Sequence, residues 1–361
     1  MAVLVLIRVA ASPASLERVY GQGLYPVVQG LLRVVFGAWP VSPALLGLAF
    51  ALGYLMMAAV WALSEVRGSG WASALGGLAR RGLRLVMLLA GLFLVCWGYN
   101  YGRPDVPARL GLPGDGPREL LSTGALVGEY ARTATRVNEL RRGGLSDTAA
   151  SRAISPAEAA AIGGELLTVL TEIDAPTVPL RRLRVLPKGL LLRFGTAGVY
   201  SPWTGDPHID GALHPLQQRF TACHELAHQQ GVTDEGDCNL LAYLTLARSP
   251  EPLLAYSAEL TYLRYLRAAL SRRDPVIFGG LSPKLDTAVV GDLRAIRRAQ
   301  DAYAEIAPAA RDLIYDSYLR TQGVRDGLSS YGRIIDYVVA VRRARPGLLG
   351  GSPRGCRSPG R

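Results

Sequence analysis

The sequence predicts a mainly α protein: transmembrane helices at the N-terminus, then a helical domain holding a small antiparallel β-sheet ahead of a histidine-bearing helix. Three observations carry this. Two long apolar runs without charge lie within the first hundred or so residues, helical apolar spacing dominates from about 118 to 344, and short β-type runs are confined to 183–210.

The membrane region is read as residues 1–103. Ala44 to Leu63 is twenty residues without a charge, long enough to cross a hydrocarbon core of about 30 Å. Leu85 to Tyr101 is also uncharged and ends in Trp97, Tyr99 and Tyr101, the residues of an interfacial aromatic belt. The loop between them, 64–84, carries Arg67, Arg80, Arg81 and Arg84 against Glu65. Positive residues favour the cytoplasmic side, so the chain is expected to be multi-pass with everything after Tyr101 extracytoplasmic. The opening MAVLVLIRVA is too short to span and is interrupted by Arg8, while YPVVQGLLRVVFGAW suits an amphipathic helix on the membrane surface.

Composition agrees with a lipid neighbour. The 361 residues are 49% apolar, their mean hydropathy is +0.18, and the formal net charge is +11. Such a charge favours anionic surfaces. No zinc knuckle, recognition helix or RNA-binding signature accompanies it, so membrane lipid is the expected partner and nucleic acid is not. The cysteines Cys96, Cys223, Cys238 and Cys356 form no CxxC pair, and Cys223 and Cys238 read as small buried hydrophobes.

The second domain is read as 104–344. A helix from Arg118 stops at Gly143-Gly144, and Ser155-Pro156-Ala157-Glu158 is a capping box opening another that runs to about Thr171. LLLRF, GVYSPW and PHI, separated by Gly and Pro, suggest the antiparallel sheet. Helices resume at about 216. The Gly-, Pro- and Arg-rich stretch 345–361 is expected to be disordered.

The chemistry lies in His224-Glu225-Leu226-Ala227-His228, an HExxH motif. Residues four apart share a helix face, so both imidazoles can reach one tetrahedral Zn2+. Glu225, one residue along, is angled to serve as general base toward a water. Gly231 is a natural helix stop and Thr233 a start for the next helix, folding a tight hairpin. That hairpin nominates Glu235 as third metal ligand and Asn239, four residues on, as the group orienting a histidine; Asp237 is the alternative ligand or a supporting group. His208 and His214 read as loop or core histidines.

These residues resemble a known family, the bacterial membrane proteins grouped as domain of unknown function 3810, which are similar to gluzincin-type zinc metallopeptidases. The resemblance runs in order through LERVYGQGLYPVVQ, FGAWPVSPALL, CWGYNYGRP, GVYSPWTGD, FTACHELAHQQGVTDEGDCNLLAYL, YSAELTYLRYL and IYDSYLRTQGVRDGLSSYGRII. It implies a zincin-like fold for the helical domain, a bound metal, a bacterial cell-membrane location, and Glu235 over Asp237 as ligand, but no substrate. The HExxH chemistry, amide hydrolysis by a metal-activated water, is what points to a protein or peptide substrate. The chain departs from the family where Gly236 and Cys238 replace its usual run of acids and alanine, and at the N-terminus, where relatives carry a further spanning helix. The resemblance also implies that the strand before the motif, Val199 to Trp203 with Val199, Tyr200 and Ser201 foremost, adds hydrogen bonds to an extended peptide. Tyr256 and Tyr331 are candidates for stabilising an oxyanion. Two other functions compete: a non-catalytic membrane scaffold stabilised by zinc, and an amidase acting on a non-peptide cell-envelope substrate.

Overall fold

Serine residues mark where several helices begin. The hydroxyls of Ser42, Ser122 and Ser155 accept hydrogen bonds from the third following amide, at 3.3, 3.2 and 3.1 Å, satisfying donors that a helix start leaves open. The structure, a computed structural model, describes residues 2–112, 121–281, 285–309, 311–313, 317 and 332–349. The chain forms two compact units, one of Met1–Arg103 with Tyr200–Asp206, the other of Pro104–Val199 with Pro207–Arg361.

In the first unit, helix α1 (Ala2–Ala10) is followed by a π-helical stretch Leu16–Leu24, then α2 (Tyr25–Phe36) and α3 (Pro43–Cys96). Residues 64–84, predicted as a loop, are helical, with one break at Gly70, whose φ of 77° only glycine adopts freely. Arg81 Nη2 lies 2.5 Å from Glu65 Oε1, although a straight helix would separate residues sixteen apart by about 24 Å. The helix therefore doubles back at Gly70.

Among the described residues one helix, Pro43–Val66, is long and apolar enough to cross a membrane, and Phe50, Leu52 and Met56 on it are exposed. The second predicted span remains α-helical only to Cys96 and tightens into a 3-10 turn at Gly98–Gly102. That turn corrects the aromatic belt: Trp97 and Tyr99 are buried, with Trp97 4.7 Å from the Tyr200 ring and Tyr99 5.3 Å from that of Tyr20. They form the unit's packed centre.

The second unit comprises α4 (Thr123–Arg142), α5 (Pro156–Glu172), strands β1 (Arg184–Leu186), β2 (Gly198–Tyr200) and β3 (Pro207–Asp210), then α6 (Pro215–Gln229), α7 (Glu235–Ala247), α8 (Pro252–Arg273), α9 (Thr287–Asp301) and α10 (Ile334–Ala344). Helix α7 is buried at every position from Glu235 to Leu246, as a helix apolar on nearly all sides must be. It packs against α5, α6 and α8.

The sheet has the order β1-β3-β2 and is mixed. β1 runs parallel to β3, in register Val185 to Ile209, which corrects the antiparallel expectation. Its central strand is buried at all four positions, so no alternation reveals strand direction. LLLRF is a turn rather than a strand. The Asp210 carboxylate accepts the amides of Gly189, Leu191 and Leu192 at 2.8, 2.7 and 3.1 Å and so curls this apolar run into a 3-10 turn.

At the end of the described chain Pro346–Leu349 form another 3-10 turn, with Leu348 and Leu349 packed against the core. Order thus continues past 345; residues 350–361, Cys356 included, lie outside the described residues.

Candidate metal centre

Helix α6 is held at both ends before it presents its histidines. Near its start the fully buried Arg219 pairs with Glu158 (Nε to Oε1 2.6 Å) and donates to the carbonyls of Pro215 and Arg152. Glu158, predicted to close the capping box, serves this guanidinium instead. Near its end Gln229 and Gln230 clamp an extended segment, accepting from the amides of Arg181 and Val178 at 3.2 and 2.7 Å.

His224 and His228 stand one turn apart with ring centroids 4.8 Å from each other. Gly231, at φ 89°, reverses the chain so that the Val232 carbonyl lies 2.8 Å behind His228 Nδ1. A carbonyl only accepts, so this nitrogen carries the proton. His224 Nδ1 lies 3.0 Å from Asn239 Oδ1 and is fixed in the same sense. The next helix begins one residue later than predicted, with Asp234 rather than Thr233 capping α7.

Both Nε2 atoms then face one oxygen, Glu235 Oε2, at 3.0 Å from His224 and 3.5 Å from His228. Neutral imidazoles would point two lone pairs at a carboxylate, a set of acceptors that coheres only around protons or a cation. Edges of a tetrahedron with bonds near 2.0–2.1 Å measure about 3.3 Å, between the two observed separations. Burial raises the Glu235 carboxyl, but the two histidines overcome it and hold the group well below its ordinary range. Burial lowers His228, but Cys238 and Glu235 overcome it and push the group well above its ordinary range.

Cys238, read from sequence as a plain hydrophobe, has its sulfur 3.3 Å from His228 Nδ1. His224, His228 and Cys238 form a cluster that could hold a metal ion, one atom from each lying within 4.8 Å of the others. Thus two sets share the histidines. Glu235 meets them on the Nε2 side; the thiol, pushed up to about 12 by burial, meets His228 at the nitrogen facing Val232.

Glu225 is buried, and its Oε2 has no hydrogen-bond partner among the described residues. Burial pushes its carboxyl up to about 7, against the lowering effect of His224 and His228. Gly198 of β2 lies against it: a β-carbon there would sit 2.5 Å from Glu225 Oε1. Only glycine fits that approach, a residue the sequence reading passed over. Because β2 pairs with β3 alone in the strand order, its other edge faces away from the sheet.

The remaining candidates disperse. Asp237 Oδ2 accepts the Val106 amide at 2.9 Å, which uses it to anchor the start of this unit. Val199 is exposed on β2, and its carbonyl accepts from His208 Nδ1 at 3.2 Å. Tyr200 is buried, its hydroxyl accepting from Gln29 Nε2 at 2.9 Å, and Ser201 accepts from Thr204 at 2.9 Å; both group with the first unit. Tyr256 donates to Asp292 at 2.6 Å. Tyr331 lies outside the described residues. His214 caps α6, accepting from the Leu216 amide. A tyrosine not singled out, Tyr265 of α8, hydrogen-bonds Asn239 and is pushed up to about 12 by burial, Glu235 adding to the rise. Its only advance signal was its place in YSAELTYLRYL.

Comparison with family models matches residues 20–339 to a protein family of unknown function (DUF3810). No curated protein and no solved structure matches the chain.

Proposed function

We propose, for a chain that belongs to the DUF3810 family, that it is a membrane-anchored zinc-dependent peptidase with His224, His228 and Glu235 as ligands and Glu225 as general base. The observation that carries this is the meeting of two imidazole Nε2 atoms on one Glu235 oxygen while a neighbouring buried carboxylate, Glu225, keeps one oxygen without a hydrogen-bond partner among the described residues. Glu235 is favoured over Cys238 because coordination through Nε2 preserves the His228–Val232 hydrogen bond, whereas a set built on the thiol engages His228 from the Nδ1 side.

Zinc, when bound, supplies Lewis acidity, lowering the pKa of a water to about 7 and polarising a carbonyl. The residues do the rest. Glu225 takes the proton of the attacking water as its oxygen adds to the carbonyl carbon, then returns it to the departing nitrogen as the C–N bond breaks. Asn239 and the Val232 carbonyl keep the imidazole tautomers fixed. The edge of β2 that no described strand pairs suits an extended peptide, which supports a peptide rather than a compact substrate.

The membrane part of the reading rests on Pro43–Val66 and on the reversal at Gly70. This makes α3 a hairpin whose second limb carries Arg80, Arg81 and Arg84 ten to fourteen residues past the bend, and positive charge on that side favours a cytoplasmic bend. The test is metal analysis of purified full-length protein with peptide hydrolysis in parallel. Near one equivalent of zinc, lost in His228→Ala, with hydrolysis lost in Glu225→Gln, supports the reading; a wild type that retains metal and cleaves no peptide refutes it.

A further inference from the structure

Helices α8 and α9 border a cavity of about 630 Å³. Four arginines line it, Arg264, Arg267, Arg294 and Arg297, together with Gln300 and a single acid, Asp301. The acid is already engaged, 3.3 Å from Arg297 Nε. Arg264 is half-buried and donates to the neutral Gln300 Oε1 at 3.2 Å, while desolvation weakens its hold on its proton. Arg267 lies over the Phe278 ring, which carries no charge. Arg294 is exposed and makes no ion pair among the described residues. Three guanidiniums therefore share one concavity, lined also by Leu293 and Ile296, without a carboxylate of their own among the described residues. Like charges gathered this way create a potential that an anion relieves, and the guanidinium fork matches a carboxylate.

The elements on both sides of the cavity also make contacts toward the candidate metal centre and β2. On α8 the residue after Arg264 is Tyr265, bonded to the Asn239 that orients His224. Beyond α9, Tyr303 packs against Gly189 and beneath Arg193, in the turn that runs on into β2 and Gly198. The recess is thus joined to the candidate metal centre through α8, and to β2 through the turn from Gly189 to Gly198. This connection favours a peptide group over a lipid headgroup as the occupant.

We infer that the recess between α8 and α9 is a specificity pocket for a carboxylate side chain, so that the substrate is an acidic peptide. The inference rests on the peptidase reading, and its test separates the two. Full-length Glu225→Gln protein in uncharged detergent is titrated with N-acetylated, C-amidated alanine peptides carrying one Glu walked through each position, and with the matched Gln set. In at least one register the Glu peptide binds about tenfold tighter than its Gln partner, as a charge-assisted pair of this kind provides. That preference disappears in Arg264→Met, falls in the exposed Arg294→Met, and weakens as salt is raised.

Equal binding of the two sets overturns the inference, as does a preference that survives both arginine variants. So does anionic-lipid binding that depends on Arg264 without any Glu–Gln difference. Hydrolysis by wild type decides the other reading independently. Cleavage without acid preference sinks the pocket and keeps the peptidase, whereas an Arg264-dependent Glu preference with no cleavage keeps the pocket and sinks the peptidase.

Discussion

The two units of this chain treat polarity in opposite ways. On Pro43–Val66 of the first, Phe50, Leu52 and Met56 are exposed, whereas in the second Arg219, Glu225, Glu235, Asp237 and Asn239 are buried. Water accounts for neither arrangement by itself. Apolar side chains turned outward in a helix of spanning length call for lipid, and charges turned inward must be paired or held for a task. The comparison teaches where to look: the first unit's peculiarity is an outward apolar face on one helix of spanning length, and the second's is a set of inward polar groups, for which the proposed function supplies a chemical reason.

The sharpest way to break the comparison is at Glu225, whose Oε2 has no hydrogen-bond partner among the described residues. Glu225→Gln keeps shape and burial but cannot accept a proton. Hydrolysis is expected to fall about 10²–10⁴-fold with the zinc content unchanged. Parallel metal analysis and single-turnover assays read the two quantities separately. Activity near wild type would mean that Glu225 is merely a tolerated buried acid.

Next in size is Arg219, an inward charge with every partner in place. Arg219→Met leaves Glu158 only the exposed Arg152, at 3.4 Å, and releases two carbonyls, so unfolding free energy is expected to drop by about 3 kcal/mol. Denaturant titration measures it. Arg219 contacts neither histidine, so metal affinity in the folded fraction should hold; its loss would show that the anchor positions the site as well as the fold.

For the outward face the test is Met56→Asp, near the middle of Pro43–Val66. Inside a bilayer this costs about 3 kcal/mol of insertion, while on a water-exposed surface it costs almost nothing. Membrane fractionation and insertion mapping read the outcome. A variant that inserts as well as wild type would remove lipid as the explanation.

Much of this was legible in the sequence, and what was not has identifiable physical causes. HExxH spacing and Gly231 fix the hairpin locally, so His224, His228, Glu235 and Asn239 could be brought together from order along the chain alone. Asp237 could not be assigned the same way, because its carboxylate is claimed by the amide of Val106, more than a hundred residues earlier. Gly198 against Glu225, Asp210 curling the LLLRF run and the parallel β1–β3 pair are contacts of the same long-range kind. The capping serine at 155 was readable, yet its glutamate went to Arg219 on another helix. Trp97 and Tyr99 suited a membrane interface by type, and a 3-10 turn sent them inward.

A last, smaller test asks whether an inward acid outside the candidate metal centre behaves as structure alone. Glu259 on α8 is half-buried; Tyr243 donates to it at 3.1 Å, and burial pushes its carboxyl from 4.5 up to about 7. A raised carboxyl pKa means the fold holds a proton that the unfolded chain releases. Below pH about 4.5 both states are protonated and nothing changes. Between 4.5 and 7 the unfolded chain ionises first, so stability falls as pH rises, and above 7 the loss is complete. Partial exposure to water reduces its size to about 1–2 kcal/mol. Glu259→Gln keeps an acceptor for Tyr243 and cannot ionise, so its stability should lose this fall and exceed wild type at pH 8 more than at pH 5. Thermal melts at the two pH values check it. Identical pH slopes in variant and wild type would show that this carboxylate is already ionised in the fold, and the contrast between inward charges kept for chemistry and those kept for packing would have to be drawn elsewhere.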